Sequence, residues 1–379
     1  MIAKSIILIL LSFDFYLPEK VHFQKTGTVE FNVGFVANHR FRGILQDSIS
    51  DQHLFYFGDP VSRKVIKVFD QHGDLRFDVP LQESIRALNE IETFEVKSAD
   101  TILVFGKQNN KIVIIDHSGK VWRTIALDSV IRPYNNLYLK YRPSAIGHSL
   151  YGRMCVLKVE YQSRGVNEPS PTIQEYFPES LDLPYFLKIE NIYSADDLIY
   201  SWGQFGFYRQ FMNDTLAMAE LPTYSFEQNI SQVFSIYSDS LYIVNNVDLA
   251  LKVKFKIVSK DTDIGSHPLN LRMFSKYEQY LNEIKYEGHI VKSLYDPIND
   301  CYVVSVACEN KEKIPLPRRY TYCILDSDGK QLAELKLGDS NSQGLMYYFD
   351  GIYYVSNTDF ENESDKNTVV RYDMLSLHL

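Results

Sequence analysis

Short apolar stretches that end in an aspartate and lead into a polar turn recur along this chain. The clearest unit is Thr101–Leu127, where three apolar stretches are separated by two polar turns. Its middle stretch, Lys111–Asp116, has counterparts at Val65–Asp70, Thr321–Asp326 and Thr368–Asp373. The spacing from Asp70 to Asp116 matches the period of about 40–50 residues that is typical of propeller blades built from strands. The pattern therefore predicts a β-propeller.

In three of these repeats a glycine follows the aspartate by three residues: Gly73, Gly119 and Gly329. The carboxylate can accept hydrogen bonds from backbone amides two residues on, and glycine supplies the positive φ that closes a tight hairpin. The apolar stretch before each turn does not alternate with polar residues, as expected for strands buried on both faces. A β-sandwich is the alternative, but its strands recur about every 8–12 residues without a longer period.

The units predict an all-β fold, a six-bladed β-propeller, with seven blades as the alternative because the register from Ser194 to Pro222 is ambiguous. A single propeller domain should cover residues 21–379. Thr26–Phe35 alternates and has no hairpin partner nearby, while the last blade, ending at Thr368–Asp373, is short of its outer strand. We expect the N-terminal strand to fill this position and close the ring, which removes exposed edges. Between blades we expect a helical turn at Glu83–Asn89 and an amphipathic helix at Asn270–Ile284.

Residues 1–20 are expected to form a signal-like or anchor segment. The apolar run Ser5–Phe13 follows a single Lys4 and stops at Asp14. This run is too short to span a bilayer and has the length of a signal-peptide core. Leu10-Leu-Ser-Phe13 is similar to a lipoprotein cleavage box with phenylalanine in place of the cysteine. Export is therefore expected, with membrane association only through this segment, and a buried first strand of a cytoplasmic protein is the alternative.

A Ser-Leu-Tyr-Asp296-Pro turn follows the predicted interblade helix, and the strand–Asp-x-x-Gly hairpins cover nearly the whole chain. In this layout the chain resembles an uncharacterised family of exported, TolB-like six-bladed propellers, often lipoproteins, from Gram-negative bacteria. The resemblance implies a location in the periplasm or at the outer-membrane surface. It implies no catalytic residues.

The net charge bears on the class of partner, and the cysteine spacing bears on the state of the thiols. The net charge is −9 and no basic run stands out, which argues against a nucleic-acid partner. The four cysteines, Cys155, Cys301, Cys308 and Cys323, show no CxxC spacing. Cys155, Cys301 and Cys323 lie inside apolar strands and are expected to be buried thiols. A Cys308–Cys323 disulfide across one hairpin is the alternative for that pair.

No motif in the chain predicts a cofactor or a metal. There is no HExxH, Gly-x-Ser-x-Gly, P-loop or dinucleotide-binding glycine pattern. His289 opens a predicted inner strand and, with Glu95, is a candidate to line the central channel. A structural role for His289 is favoured, because a lone ligand makes no metal site.

The long connections predict a binding face. Three connections between second and third strands are long and open on one face: Gln162–Pro184, Glu309–Arg319 and Ser356–Thr368. Long loops on a rigid scaffold are where binding sites usually lie. Arg318 and Arg319 are suited to bind carboxylates or phosphates, and Tyr161 and Tyr176 to stack on a ring. Ordinary solvated loop residues are the alternative.

These observations favour a non-enzymatic binding module whose loop-rich face receives a protein, peptide or glycan ligand without a cofactor. The alternative is a propeller enzyme, a lactonase-like hydrolase or a lyase, with its site at the channel mouth. Acidic and histidine side chains converging from several inner strands would indicate the enzyme. A purely structural scaffold would have an apolar channel.

Overall fold

The computed structural model describes residues 21–35, 42–46, 53–59, 62–98, 100–106, 111–126, 137–140, 155–158, 160–163, 184–189, 199–204, 223–226, 230–234, 239–245, 251–264, 286–310, 319–337, 346–356 and 369–379. Over these residues the chain is nearly all β, and its strands form antiparallel sheets in a propeller-like arrangement. Within the described ranges, no helix has the length and apolar character needed to cross a membrane. The predicted helix at 270–284 and the segment 1–20 lie outside them.

The chain begins with strand β1 (His22–Asn32) and then builds two meanders of four consecutive strands. Blade A consists of β2 (Arg42–Gln46), β3 (His53–Gly58), β4 (Val65–Asp70) and β5 (Leu75–Pro80). Blade B consists of β6 (Ile91–Ser98), β7 (Thr101–Gly106), β8 (Lys111–Ile115) and β9 (Val121–Ala126). Helix α1 (Gln82–Leu88) joins the two blades, which confirms the helical turn predicted there.

The next part of the chain forms two smaller sheets instead of a meander. It contains strands β10 (Leu137–Lys140), β11 (Cys155–Lys158), β12 (Glu160–Ser163), β13 (Pro184–Ile189) and β14 (Ile199–Gln204). Strand β10 pairs with β12, and β13 lies between β11 and β14.

Two further meanders and a sheet built from both parts of the chain follow. Blade C consists of β15 (Thr223–Phe226), β16 (Ile230–Phe234), β17 (Ser240–Asn245) and β18 (Leu251–Lys256). Blade D consists of β19 (His289–Asp296), β20 (Cys301–Ala307), β21 (Tyr320–Asp326) and β22 (Gln331–Leu335). The closing sheet has the order β1-β25-β24-β23, with β23 (Met346–Phe349), β24 (Ile352–Ser356) and β25 (Val369–His378).

Strand β1 is the outer strand of the closing sheet. It pairs antiparallel with β25 from His22 opposite His378 to Asn32 opposite Val369, with one bulge between Lys25 and Gly27. The predicted pairing of the N-terminal strand with the last strands of the chain is thus confirmed.

The predicted number of blades, six or seven, is wrong. The described residues form four blades of the expected kind, each a meander of four consecutive strands. The apolar stretches predicted a further blade within residues 137–204. There the strands pair as sheets of two and three.

The first strand of each blade lies on the inside. Contacts between neighbouring sheets join first strands to one another: β2 to β6, β15 to β19, and β19 to β23. This arrangement, with inner strands surrounding a common centre, is typical of propellers.

The hydrophobic core lies between the sheets. Separate clusters of buried side chains join blade A to blade B, blade C to blade D, blade D to the closing sheet, and the closing sheet to blade A. Every residue of β7 and of β20 is buried, so these strands pack against a neighbour on both faces. This explains why the apolar stretches do not alternate.

Phe31 of β1 is central to the cluster between the closing sheet and blade A. It is fully buried, and its ring centroid lies 4.5 Å from that of Phe55, 5.2 Å from that of Phe57 and 5.6 Å from that of Phe69. Aromatic pairs at these separations stabilise beyond the area they bury. Phe31 of the N-terminal strand thus connects the closing sheet to blade A.

The Asp-x-x-Gly turns have the predicted hydrogen bonds. In the first, the Asp70 carboxylate accepts from the backbone amide nitrogens of His72 at 2.9 Å and Asp74 at 3.0 Å. Asp116 accepts in the same way from the amide nitrogen of Ser118 at 2.9 Å. The glycines have positive φ, 91° at Gly73 and 80° at Gly119.

These glycines also lie against the outer strand of the neighbouring sheet. A Cβ at Gly73 would overlap the carbonyl oxygen of Glu30 in β1, and one at Gly119 would overlap that of Pro80 in β5. A Cβ at Gly329 would overlap the ring of Phe255 in β18. Each turn therefore closes its own hairpin and makes a close contact between sheets.

We expect Gly119→Ala to lower the free energy of unfolding by about 1–3 kcal/mol, because alanine is strained at this φ and its Cβ has no space beside Pro80. Urea unfolding of the purified chain measures the effect. Gly27→Ala is the matched control, since a Cβ there lies 3.6 Å from Met374 Sδ, an ordinary contact. Equal urea midpoints for the two variants would contradict the proposed role of the turn.

Candidate binding face

The two ends of each blade differ. The turn side carries the hairpins between first and second and between third and fourth strands, including the Asp-x-x-Gly turns. The loop side carries the connections between second and third strands and those between blades. In blade D and the closing sheet the second-to-third connections are long, residues 308–319 and 357–368. The loop side of these two sheets therefore carries the long segments, and long loops on a rigid scaffold often form binding sites.

The structure describes part of the loop side at blade D. This loop-side rim consists of residues 257–264, 286–289, 307–310, 319–321 and 334–337. Hydrogen bonds hold its segments together: Glu309 N donates to Thr262 Oγ1 at 2.8 Å, and Asn310 N donates to the carbonyl oxygen of Tyr286 at 2.8 Å. A Cβ at Gly288 would overlap the carbonyl oxygen of Asp263, so these segments pack closely. The rim is well connected although much of it lies outside the strands.

Charged side chains order the rim further. Glu334 Oε1 accepts from Ser259 Oγ at 2.5 Å and from Thr321 Oγ1 at 3.2 Å, and its Oε2 accepts from Lys260 N at 2.8 Å. Lys336 Nζ lies 2.7 Å from Asp261 Oδ1. The carboxylates of this part of the rim are thus bonded to neighbours in blades C and D.

Arg319 and His289, two of the predicted site residues, lie at this rim. Arg319 is exposed, and its carbonyl oxygen accepts from Cys308 N at 2.8 Å. His289 is half-buried, and its Nδ1 lies 3.0 Å from the carbonyl oxygen of Glu287. His289 and Tyr320, the residue after Arg319, both pair with Ala307. The backbones of His289 and Tyr320 are therefore about two strand spacings, or 10 Å, apart, and His289 and Arg319 lie at the same end of the sheet.

Of the other predicted site residues, one lies in a described strand and two lie outside the described residues. Tyr161 lies in β12, opposite Leu139 of β10. Tyr176 and Arg318 lie outside the described residues. Of the residues predicted for the loop-rich face, Arg319 lies at the described rim, and His289, predicted to line the central channel, lies at the same end of blade D.

A second polar cluster lies among the inner parts of the sheets. Glu95 of β6 is only 5% exposed, and Tyr56 of β3 is 4% exposed. The pKa of Tyr56 is raised well above its usual value. Burial is the largest cause, and electrostatic interactions with Glu95 and then Tyr347 add to it. A Cβ at Gly43 would overlap the Tyr56 hydroxyl, so the glycine provides the space for the phenol.

Lys292 extends this inner-strand cluster towards blade D. Its Nζ lies 4.3 Å from the centroid of the Tyr347 ring, a cation–π distance. Of the residues in this inner-strand cluster, the sequence predicted only Glu95, which is an acidic residue between apolar Phe94 and Val96 in a strand. Among the described residues, no three His, Cys, Asp or Glu side chains are grouped so as to hold a metal ion.

Asp296, on the turn side, is fully buried and joins blade D to the closing sheet. Its carboxylate accepts from Tyr348 Oη at 2.8 Å and Tyr353 Oη at 2.6 Å, as well as from Asn299 Nδ2 at 2.8 Å. Burial acts to raise the pKa of Asp296, but these hydrogen bonds outweigh it and hold the pKa below its usual value. The geometry fits a structural anchor, because internal donors surround the carboxylate.

Cys301, Cys308 and Cys323 are free, buried thiols. The register pairs Cys323 with Val304, four residues before Cys308. At about 3.3 Å per residue the two cysteines are about 13 Å apart along the strand, beyond the roughly 7 Å limit between Cα atoms of a disulfide. The alternative of a Cys308–Cys323 bridge is therefore wrong, and the expected burial of Cys301 and Cys323 is confirmed.

Comparisons with known proteins bear mainly on the fold. No protein-family model matches the chain, and no curated protein matches it. The chain is similar to the crystal structure of a member of the DUF4221 family from Bacteroides vulgatus, with a TM-score of 0.64 and 11% identity over 95% of this chain and 99% of that chain. At this identity the likeness establishes a shared fold alone.

Two weaker likenesses are to a candidate exported protein from Bacteroides fragilis and to a streptogramin B lyase. The first has a TM-score of 0.44 and 11% identity, covering 95% of each chain. The second has a TM-score of 0.41 and 11% identity, covering 94% of this chain and 98% of that chain. At these TM-scores neither likeness bears on the location or activity of this protein.

We expect Asp296→Asn to lower the free energy of unfolding by about 1–3 kcal/mol at neutral pH, because hydrogen bonds to a buried carboxylate are lost or weakened. The folded-state pKa lies below the unfolded value of about 3.9, so the carboxylate stabilises the fold above that value. This contribution is lost as the pH falls through the folded-state pKa. Urea unfolding across a pH series measures it.

Asp328→Asn, at an exposed turn position, is the control for that series and should change stability little. Well below the unfolded-state pKa of about 3.9, the difference in unfolding free energy between wild type and Asp296→Asn should shrink. A difference that stays constant there would contradict the stabilising role of the Asp296 carboxylate.

We expect Cys301 and Cys323 to resist alkylation in the native protein. Burial, together with nearby carboxylates, raises the pKa of each thiol to about 12, so the reactive thiolate is scarce at neutral pH. Labelling with N-ethylmaleimide followed by peptide mass mapping should find both cysteines modified in urea and unmodified in buffer. Equal labelling rates in the two conditions would refute this.

Proposed function

We propose that this protein is an exported, propeller-like binding module that presents its loop side to a protein, peptide or glycan. Membership of the exported TolB-like family is part of this proposal, and the Asp-x-x-Gly hairpins support it. The N-terminal apolar run Ser5–Phe13 supports export to the periplasm or the outer-membrane surface.

The observation that carries the proposal is the asymmetry between the two ends of blade D. On the turn side, Asp296 and Asp326 bond the backbone of short hairpins, and Gly329 lies directly against the neighbouring blade. On the loop side, the connection 308–319 is long, and hydrogen bonds from Glu309 N to Thr262 and from Asn310 N to Tyr286 support its described start. A rigid scaffold with long segments at one end is a common design for binding proteins.

One side chain of the rim, Arg319, favours a ligand with a negative group. Arg319 is exposed at the end of the long connection, and its guanidinium is suited to paired hydrogen bonds with a carboxylate or phosphate. The neighbouring carboxylates of Glu334 and Asp261 already accept from groups of the protein. We therefore infer an acidic peptide segment, an acidic protein surface or an acidic glycan as the ligand.

A thermal-shift screen of the purified chain with acidic and neutral glycans and peptides tests this proposal. A ligand at a hundred times its Kd stabilises the fold by about 2.7 kcal/mol, which is measurable. We expect shifts with acidic members of the panel, and Arg319→Ala should weaken their binding by about tenfold or more through loss of a charge-assisted hydrogen bond.

Arg76→Ala is the matched control, because Arg76 is an exposed arginine at the turn side. It should leave the shifts unchanged. Binding that survives Arg319→Ala, or that Arg76→Ala weakens equally, would contradict a site on the loop side.

A further inference from the structure

Two histidines face each other across the pairing of β1 and β25. His22 and His378 are direct register partners, and both are exposed. Their rings are stacked, with centroids 5.1 Å apart and planes inclined by 15°. The two imidazoles belong to segments far apart in the sequence, and only the closing sheet brings them together.

The backbone beneath this pair is held in place. Phe23, next to His22, packs its ring edge-to-face on Tyr353 at 5.2 Å and on Tyr322 at 6.2 Å. Leu377, next to His378, is buried in the core between blade D and the closing sheet. Because side chains alternate along a strand, these anchors fix the neighbouring histidines on the outward face.

Two imidazoles on directly opposed positions can reach the spacing that chelation requires. A metal ion bound by two imidazoles at about 2.1 Å, with an angle near that of tetrahedral or square geometry, brings the ligating nitrogens to about 3.0–3.4 Å. Directly opposed residues of an antiparallel pair have Cβ atoms about 4.5–5.5 Å apart. Exposed rings on such positions reach the required distance by side-chain rotation alone. His378 Nε2 now lies 3.0 Å from Ser376 Oγ, which can be exchanged for a metal bond.

We propose that His22 and His378 together bind one late first-row transition-metal ion, Ni²⁺, Cu²⁺ or Zn²⁺, and so clip the N-terminal strand to the last strand. Imidazole nitrogen is a preferred ligand of these ions, whereas Mg²⁺ and Ca²⁺ prefer oxygen. Water completes the coordination. The site is separate from the loop-side rim and does not depend on the proposed function.

The consequence is metal-dependent stabilisation of the closing sheet. An ion that binds only when β1 and β25 are paired favours the folded chain by mass action. The effect should appear as a rise in the unfolding temperature on addition of the metal and its reversal by a chelator.

Isothermal titration and thermal unfolding of the full chain with NiCl₂ test the proposal. We expect His22→Gln and His378→Ala each to weaken this binding by at least about tenfold, the loss that even outer-shell changes can cause at metal sites. Because one imidazole alone does not chelate, the double variant should lose no more affinity than either single variant. MgCl₂ should produce no shift.

His72→Ala is the matched control, since His72 is an exposed histidine in the first Asp-x-x-Gly turn. It should retain the metal affinity and the thermal shift. Nickel binding that persists in either single variant, that is equally weakened in His72→Ala, or that is absent from the wild-type chain would overturn the proposal.

Discussion

The close contact between a hairpin turn and the neighbouring sheet is the constraint on which this arrangement of blades depends. At Gly73, Gly119 and Gly329 a backbone with positive φ meets the outer strand of the next sheet with no room for a side chain. The same five-residue turn thus completes a blade and sets its distance from a neighbour. Since the core lies between sheets, this distance also determines how the buried side chains of β7 and β20 pack.

Different interactions hold the two faces of the closing sheet. Towards blade A, Phe31 and its aromatic neighbours form a dispersion-rich core. Towards blade D, the buried carboxylate of Asp296 accepts from two phenols, which is a directional contact. The face towards blade D thus combines an apolar cluster with directional hydrogen bonds to a buried charge, whereas the described contacts towards blade A are mainly between aromatic side chains.

This distribution of rigidity leads to the functional proposal. Close glycine contacts and carboxylate-bonded turns hold the turn side, so the strands of blade D form a fixed support for the loop-side rim. The hydrogen bonds of Glu309 N to Thr262 and of Cys308 N to Arg319 O then position the ends of the long connection. Arg319 projects from this support, and preorganisation of this kind lowers the entropic cost of binding.

The strand–turn units were determined by the sequence alone, because the carboxylate of Asp70 or Asp116 bonds amides within its own turn and the interaction needs nothing distant. The same local signals predicted the strand Val65–Asp70 to the residue. Only the tertiary structure decided the number of blades. Residues 137–204 and 223–256 both lack an Asp-x-x-Gly turn, yet the first range forms sheets of two and three strands and the second a four-stranded blade. The tertiary structure also decided which polar groups meet, such as Asp296 with Tyr348 and Tyr353, or His22 with His378. These pairings depend on packing between sheets, and sequence spacing does not encode the partner across such an interface.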